Sequence, residues 1–201
     1  MSTIITSIDP GSPAMRAGLQ PGQQLLSING HTVVDVLDYR FYGYDPVSHL
    51  SLKNKDGSTQ KLTIHKAEGE DLGLNFDSYL MDEMRSCANH CIFCFVDQMP
   101  PGMRQTLYFK DDDARLSFLQ GNYITLTNLT EREAQRIIDL RISPINVSVH
   151  TTDPQLHCTM LGNKNAVRSL DYIRAFCKAG IVMNGQIVVC PGWNDGEHLR
   201  R

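Results

Sequence analysis

The sequence predicts an α/β protein in two parts, a small β-rich unit over residues 1–77 and a parallel-sheet unit over residues 78–201. Three observations carry this. Short apolar runs separated by Pro-Gly, Asn-Gly and Asp-Gly turns fill the first part. Strand-length and helix-length segments alternate in the second, the pattern of βα units. A cysteine-rich loop lies near the start of the second. The hydrophobic share of 41% over 201 residues is enough for one large core or two modest ones. A net charge of −3 and a pI near 6.1 give no basic face for nucleic acid. The N-terminus MSTIITSIDPG lacks the charged and apolar regions of a secretory leader, and no apolar run approaches a membrane span. The expected compartment is the cytoplasm, where six cysteines serve as thiols or metal ligands rather than disulfides.

In the first unit Ile4, Ile5 and Ile8 predict a short strand, Pro10-Gly11-Ser12-Pro13 a turn, and Ala14 to Leu19 a short helix closed by Gly18. A strand with alternating Leu26 and Ile28 then runs into the Asn29-Gly30 turn. Val33 to Tyr39 is the next short element, and the Asp56-Gly57 turn splits two later strands at Leu50–Leu52 and Lys61–Ile64. The phrase GSPAMRAGLQPGQQLLSINGHTV resembles a bacterial PDZ domain. Such domains take a peptide carboxylate in a Gly-Leu-Gly-Phe loop and add the peptide to the strand that follows. Here the nearest equivalent, Gly73-Leu74-Asn75-Phe76, stands at the far end of the unit, as in a circularly permuted PDZ topology. The resemblance makes a peptide, or an intramolecular neighbour, the candidate partner. On the residues alone, Leu74 and Phe76 read as alternating core positions of a last strand. About ten residues separate Phe76 from Cys87, a short tether that favours this structural role. The boundary is expected near Asp77 to Asp82.

The loop Cys87 to Phe95 reads CANHCIFCF and places three thiols at Cys-x-x-x-Cys-x-x-Cys spacing. Three sulfurs so close can converge on one iron-sulfur cluster, whereas a disulfide between two would leave the third idle. An electron-transfer cluster wants four cysteines, so three leave one iron open to a ligand. The rival is zinc held by Cys87, Cys91, Cys94 and His90. Adjacent His90 and Cys91 seldom both reach one tetrahedral ion, and structural zinc sites usually draw on two separated ligand pairs. Cys158, Cys177 and Cys190 are scattered among apolar residues and are expected as small buried hydrophobes. Ile92, Phe93, Phe95 and Val96 would shield a cluster. Of Asp111, Asp112 and Asp113, one is expected to cap a helix from Ala114 to Leu119, with the other two solvated.

Beyond the loop, Asn122 to Thr127 is a predicted strand, and Thr130 with Glu133 forms a capping box opening a helix that buries Ala134, Ile137, Ile138 and Leu140. Asn146 to His150 is the next strand, Ala166 to Lys178 a helix stopped by Gly180, and Ile181 to Cys190 another strand. Apolar and polar residues alternate in all three strands, although parallel strands covered on both faces read as continuous apolar runs. A curved parallel sheet with helices outside and a polar lumen accounts for this. A flatter sheet with a polar domain interface is the alternative.

The cysteine spacing, with aromatic Phe93 just before the last cysteine, resembles the radical S-adenosylmethionine (SAM) enzymes. The phrases CIFCFVDQMPPGMR, YFKDDDARLSFLQGNYITLTNL and QIVVCPGWND together resemble one bacterial group of that superfamily, of unassigned reaction, with an N-terminal PDZ-like domain. The resemblance implies an incomplete parallel (β/α)6 partial barrel. It implies that Cys87, Cys91 and Cys94 ligate a 4Fe-4S cluster whose open iron binds SAM. An electron then cleaves SAM to methionine and a radical that takes hydrogen from a substrate; substrate and electron donor are unknown. The family holds SAM's amino group after the second strand with a Gly-Gly-Glu type turn, where this chain has Leu126-Thr127-Asn128-Leu129. Thr127 and Asn128 therefore become the candidates there. Ser148, His150 and Gln186 are candidates for ribose, adenine or substrate, His150 reading equally as a structural histidine. With four strands counted and a turn opening a new helix near Arg201, the chain is expected to be a fragment. A function of another class stays open, a PDZ-type scaffold whose second unit holds a structural metal or cluster.

Overall fold

The computed structural model describes residues 3–200 and divides into two compact units, Met1–Glu83 and Met84–Arg201. In the first unit the order is β1 (Ser7–Ile8), α1 (Pro13–Arg16), β2 (Gln24–Ile28), β3 (His31–Thr32), α2 (Val36–Tyr42), β4 (Val47–Lys53), β5 (Thr59–His65) and β6 (Leu74–Asn75). An antiparallel sheet runs β3-β2-β4-β5, and β1 pairs separately with β6. Asn29 and Gly30 both take positive φ, 52° and 83°, as the tight β2–β3 hairpin requires.

Two expectations for this unit are corrected. The alternation at Leu26 and Ile28 fails because the β2–β4 register shifts between Leu25 and Ser27, a bulge that turns Leu25 and Ile28 into the core and leaves Leu26 half-buried. The element foreseen at Val33 to Tyr39 starts later, because Asp35 is a helix cap. Its carboxylate accepts from Leu37 N and Asp38 N, so the helix begins at Val36. Residues beyond 77 also pack here. Leu80 and Met81 are buried, and Val36 N donates to Leu80 O at 3.3 Å.

The second unit contains a short 3-10 turn (Gln105–Tyr108), α3 (Ala114–Gln120), α4 (Glu131–Asp139), β7 (Ile145–Ser148), α5 (Pro154–Leu161), α6 (Val167–Lys178), β8 (Met183–Gln186) and α7 (Glu197–Arg200). β7 and β8 are parallel, and Ile124 bridges Val147 in the same sense, so the parallel sheet is small. The capping box at Thr130 and Glu133 forms as the sequence indicates. The strand expected over Asn122 to Thr127 is reduced to that one bridge. Leu126 adopts φ 61° and Thr125 N turns to the Asp112 carboxylate, so the backbone leaves the extended region.

The alternating apolar face holds for Ile124, Leu126, Ile145 and Val147, all buried, but not in the last strand. Ile187 and Val189 are each 48% exposed. The strand ends at Gln186, and Val188 N turns aside to His150 Nδ1. Helix α5 was not foreseen, although Asp153 as cap, Pro154 in the first turn and left-handed Gly162 at the C-cap are ordinary boundary signals. Among the described residues no helix is long and apolar enough to cross a membrane.

Leu74 is buried, whereas Phe76 is half-buried with its ring edge-on to Tyr39 at 5.5 Å, so the two are not equal core anchors. Leu74→Ala should lower the stability of the first unit by about 2–5 kcal/mol and Phe76→Ala by clearly less, read from urea unfolding. Equal losses would contradict this burial.

Candidate metal centre

The cysteine loop contains no helix or strand, so neighbours must satisfy its backbone. Cys87 N donates to Lys110 O at 2.7 Å, His90 N to Leu161 O at 2.9 Å and Ile92 N to Met160 O at 2.9 Å. The loop thus lies against the last turn of α5. The next residue, Gly162, has φ 58°, and a Cβ there would stand 2.4 Å from His90 O. Glycine is required on both counts.

Inside the loop, Asn89 is 1% exposed and fully engaged. Its Nδ2 donates to Cys87 Sγ at 3.3 Å and to Thr125 Oγ1 at 2.9 Å. Its Oδ1 accepts from Thr127 Oγ1 at 3.0 Å and from Asn163 Nδ2 at 2.7 Å. One side chain therefore ties the first cysteine to the residues after Ile124 and to the loop after α5. Sequence reasoning missed it, since an asparagine within a cysteine motif carries no signal of its burial.

Cys87, Cys91 and Cys94 are free, half-buried thiols. Burial, then the neighbouring Cys87 and Cys94, pushes the Cys91 thiol up to about 12; burial raises Cys87 as well. Lys110 Nζ lies 3.0 Å from both Asp97 oxygens and 3.1 Å from Asn89 O, and its charge opposes these rises. Three soft sulfur donors on one half-buried loop suit a cationic metal group, which would displace the protons. Among the described residues no three His, Cys, Asp or Glu side chains converge on a single metal ion. The expected shielding is only partial. Ile92 is 41% and Phe95 78% exposed, while Phe93 packs against the His150 ring at 4.4 Å.

The other candidates fall into two groups. Thr127 is bound to Asn89, and Asn128 Nδ2 donates to Ser86 O (3.3 Å) and Asp112 O (3.0 Å), so both side chains brace the loop. Ser148 Oγ donates to Gln186 Oε1 at 3.4 Å across the ends of β7 and β8. His150 is buried at φ 65°; its Nδ1 accepts from Val188 N and its carbonyl accepts from Asn194 Nδ2 at 2.8 Å. Burial, with His157 nearby, lowers its pKa to about 4, so the ring is neutral at pH 7 with its proton on Nε2. The scattered cysteines are not buried hydrophobes: Cys177 is exposed on α6, Cys158 is half-buried within α5, and Cys190 is half-buried in the segment after β8.

Of the three aspartates, one caps the helix and one is exposed as expected, and the third departs from expectation. Asp113 caps α3 through Arg115 N and pairs with the Arg115 guanidinium at 2.6 Å. Asp111 is exposed and accepts from Asn122 Nδ2. Two solvated carboxylates were expected, but Asp112 is 2% exposed, and its carboxylate accepts from Thr125 N at 2.6 Å and Thr125 Oγ1 at 2.5 Å. It anchors the segment after Ile124 beside the cysteine loop.

This geometry defines a class, an α/β unit presenting three thiols from one loop next to the carboxyl ends of parallel strands. The comparison with known families makes it specific. A radical SAM-like domain matches residues 66–201, and a PDZ domain matches residues 4–53. The chain belongs to the radical SAM-like family. No curated protein matches it.

Burial raises the Asp112 pKa from its ordinary 3.8 to about 6. The folded unit therefore holds this proton more tightly than the unfolded chain, and the associated stability is lost as pH rises from about 4 to about 6. Asp112→Asn, which can still accept from Thr125 N, should stabilise the protein at pH 7 and flatten that part of the melting-temperature profile. A variant less stable than wild type at pH 7 would contradict the buried-charge account.

Proposed function

We propose that the second unit is the catalytic domain of a radical SAM enzyme, a cytoplasmic iron-sulfur oxidoreductase. Cys87, Cys91 and Cys94 would hold a 4Fe-4S cluster with SAM on the open iron. The observation that carries this is the set of three free thiols on one loop, braced by Asn89, in a chain of the radical SAM-like family. The chemistry supplied by the bound group is one-electron cleavage of a sulfonium, which opens hydrogen abstraction from a substrate. β7, β8 and the segment around Ile124 are then staves of a (β/α)6 partial barrel, with ligands at their carboxyl ends.

The chain's own residues divide the remaining work. Thr127 and Asn128 would reach SAM's amino group through backbone oxygens, because their side chains are engaged elsewhere. Ser148 and Gln186, at the ends of adjacent parallel strands, would read polar groups of SAM or substrate. His150, neutral and fixed, packs against the Phe93 ring and so would steady the loop. Leu126 and His150, both non-glycine residues with positive φ, end their extended segments here; such strain, about 1–3 kcal/mol each, collects at ligand sites. Anaerobically reconstituted protein should contain iron and labile sulfide. Cys94→Ala should abolish the cluster and Cys177→Ala should leave it. Stoichiometric zinc without sulfide would favour the scaffold reading.

The first unit reads as a structural module more than a peptide receptor. Gly73 N donates to Asp71 Oδ1 at 2.6 Å, and Leu74 N donates to Tyr39 Oη at 3.2 Å. Tyr39 Oη in turn donates to Asp71 Oδ1 at 2.9 Å. The amides that would meet a peptide carboxylate already have an intrachain carboxylate and phenol, and Tyr39 is buried. Titration with peptides bearing free C-termini should show no binding tighter than about 1 mM. Saturable micromolar binding would restore the receptor role.

A further inference from the structure

The hydrogen bond to Cys87 has a defined sense that can be followed back to the main chain. Asn165 N, a donor by constitution, donates to Asn163 Oδ1 at 2.9 Å. That fixes the Asn163 amide with Nδ2 toward Asn89, whose Oδ1 accepts at 2.7 Å. Thr127 Oγ1 donates to the same oxygen at 3.0 Å. A flipped Asn89 would set its NH2 against the Asn163 NH2, so Nδ2 is held toward Cys87 Sγ at 3.3 Å. At 1% exposure, water does not compete for this donor.

We infer that Asn89 is a positioning residue that sets the reduction potential of the cluster, by donating an oriented N–H to the Cys87 sulfur through the relay Asn165 N, Asn163, Asn89. The inference rests on the cluster reading above. A thiolate bound to iron keeps negative charge, and reduction adds more. A donor aimed at the sulfur stabilises the reduced form and raises the potential, as hydrogen bonds to cluster sulfurs generally do. Asn89 is not a ligand. Its second donor contact, to Thr125 Oγ1, and its two acceptor contacts keep the N–H aimed at the sulfur in either oxidation state.

The test is an anaerobic redox titration of the reconstituted full chain, followed by EPR, for wild type, Asn89→Ala and Asn89→Asp. Asn89→Ala removes the N–H without adding charge. Asn89→Asp keeps the acceptor for Thr127 and Asn163 while replacing the donor by a carboxylate. Both should shift the midpoint to more negative values, with Asn89→Ala weakening the reduction equilibrium about tenfold, about 59 mV for a one-electron couple. The sign separates this from mere loosening of the loop, because admitted water favours the more charged reduced form and raises the potential. An unchanged or more positive midpoint in Asn89→Ala overturns the inference while leaving the cluster reading intact. A wild type that assembles no cluster overturns both. Should neither variant load a cluster, pulsed EPR of the reduced wild type labelled with nitrogen-15 in asparagine side chains decides. Coupling to an amide nitrogen supports the bond, and its absence removes it.

Discussion

The second unit depends on how a loop without secondary structure satisfies its own main chain. His90 N and Ile92 N find acceptors in Leu161 O and Met160 O, at the C-terminal end of α5. Those carbonyls are themselves left over by the helix, whose last turn has no following amides to receive. Two deficits are thereby joined. Each bond adds about 1 kcal/mol net, and the larger effect is that neither group is buried unpaired. The close approach then dictates the neighbouring residue, since the helix must turn away at Gly162 with no side chain to strike His90 O.

Around that junction, polar side chains do what apolar packing does elsewhere. Asn89, Thr125, Thr127, Asp112 and Asn128 form a connected network in which every side chain has a hydrogen-bond partner. Such a network specifies one arrangement because any rotation leaves a buried donor or acceptor unsatisfied. An apolar cluster of similar size would tolerate several rotamers. For a loop presenting three sulfurs, a single arrangement matters more than a few further kcal/mol of stability.

What could be read from the sequence was whatever local chemistry decides. The Asn29-Gly30 hairpin, the Thr130–Glu133 capping box and the parallel pairing of β7 with β8 follow from turn residues, caps and strand patterning. The radical SAM-like family followed from cysteine spacing and flanking phrases. What depends on distant contacts was hidden. Leu126 reads as a strand residue, yet the Asp112 carboxylate takes the amide before it and the backbone turns left-handed. Asp112 itself reads as solvated, because nothing in three adjacent aspartates reveals which one points inward. Leu26 reads as core until a one-residue bulge moves the inward role to Leu25. The role of Asn89 was out of reach for the same reason, since its partners lie 36, 38 and 74 residues away in sequence.

Helix α5 has eight residues, a little over two turns, capped by Asp153 at one end and closed by Gly162 at the other. So short a helix has little intrinsic stability in isolation, and its final turn is held by the burial of Met160 and Leu161. Because the amides of His90 and Ile92 hang on that turn, opening it would release the segment that carries Cys91 between them. The placement of the middle cysteine is therefore coupled to the closing of one helical turn. Amide exchange at His90 and Ile92 would follow that same closing, and a metal group bridging the thiols would lock the turn shut from the other side.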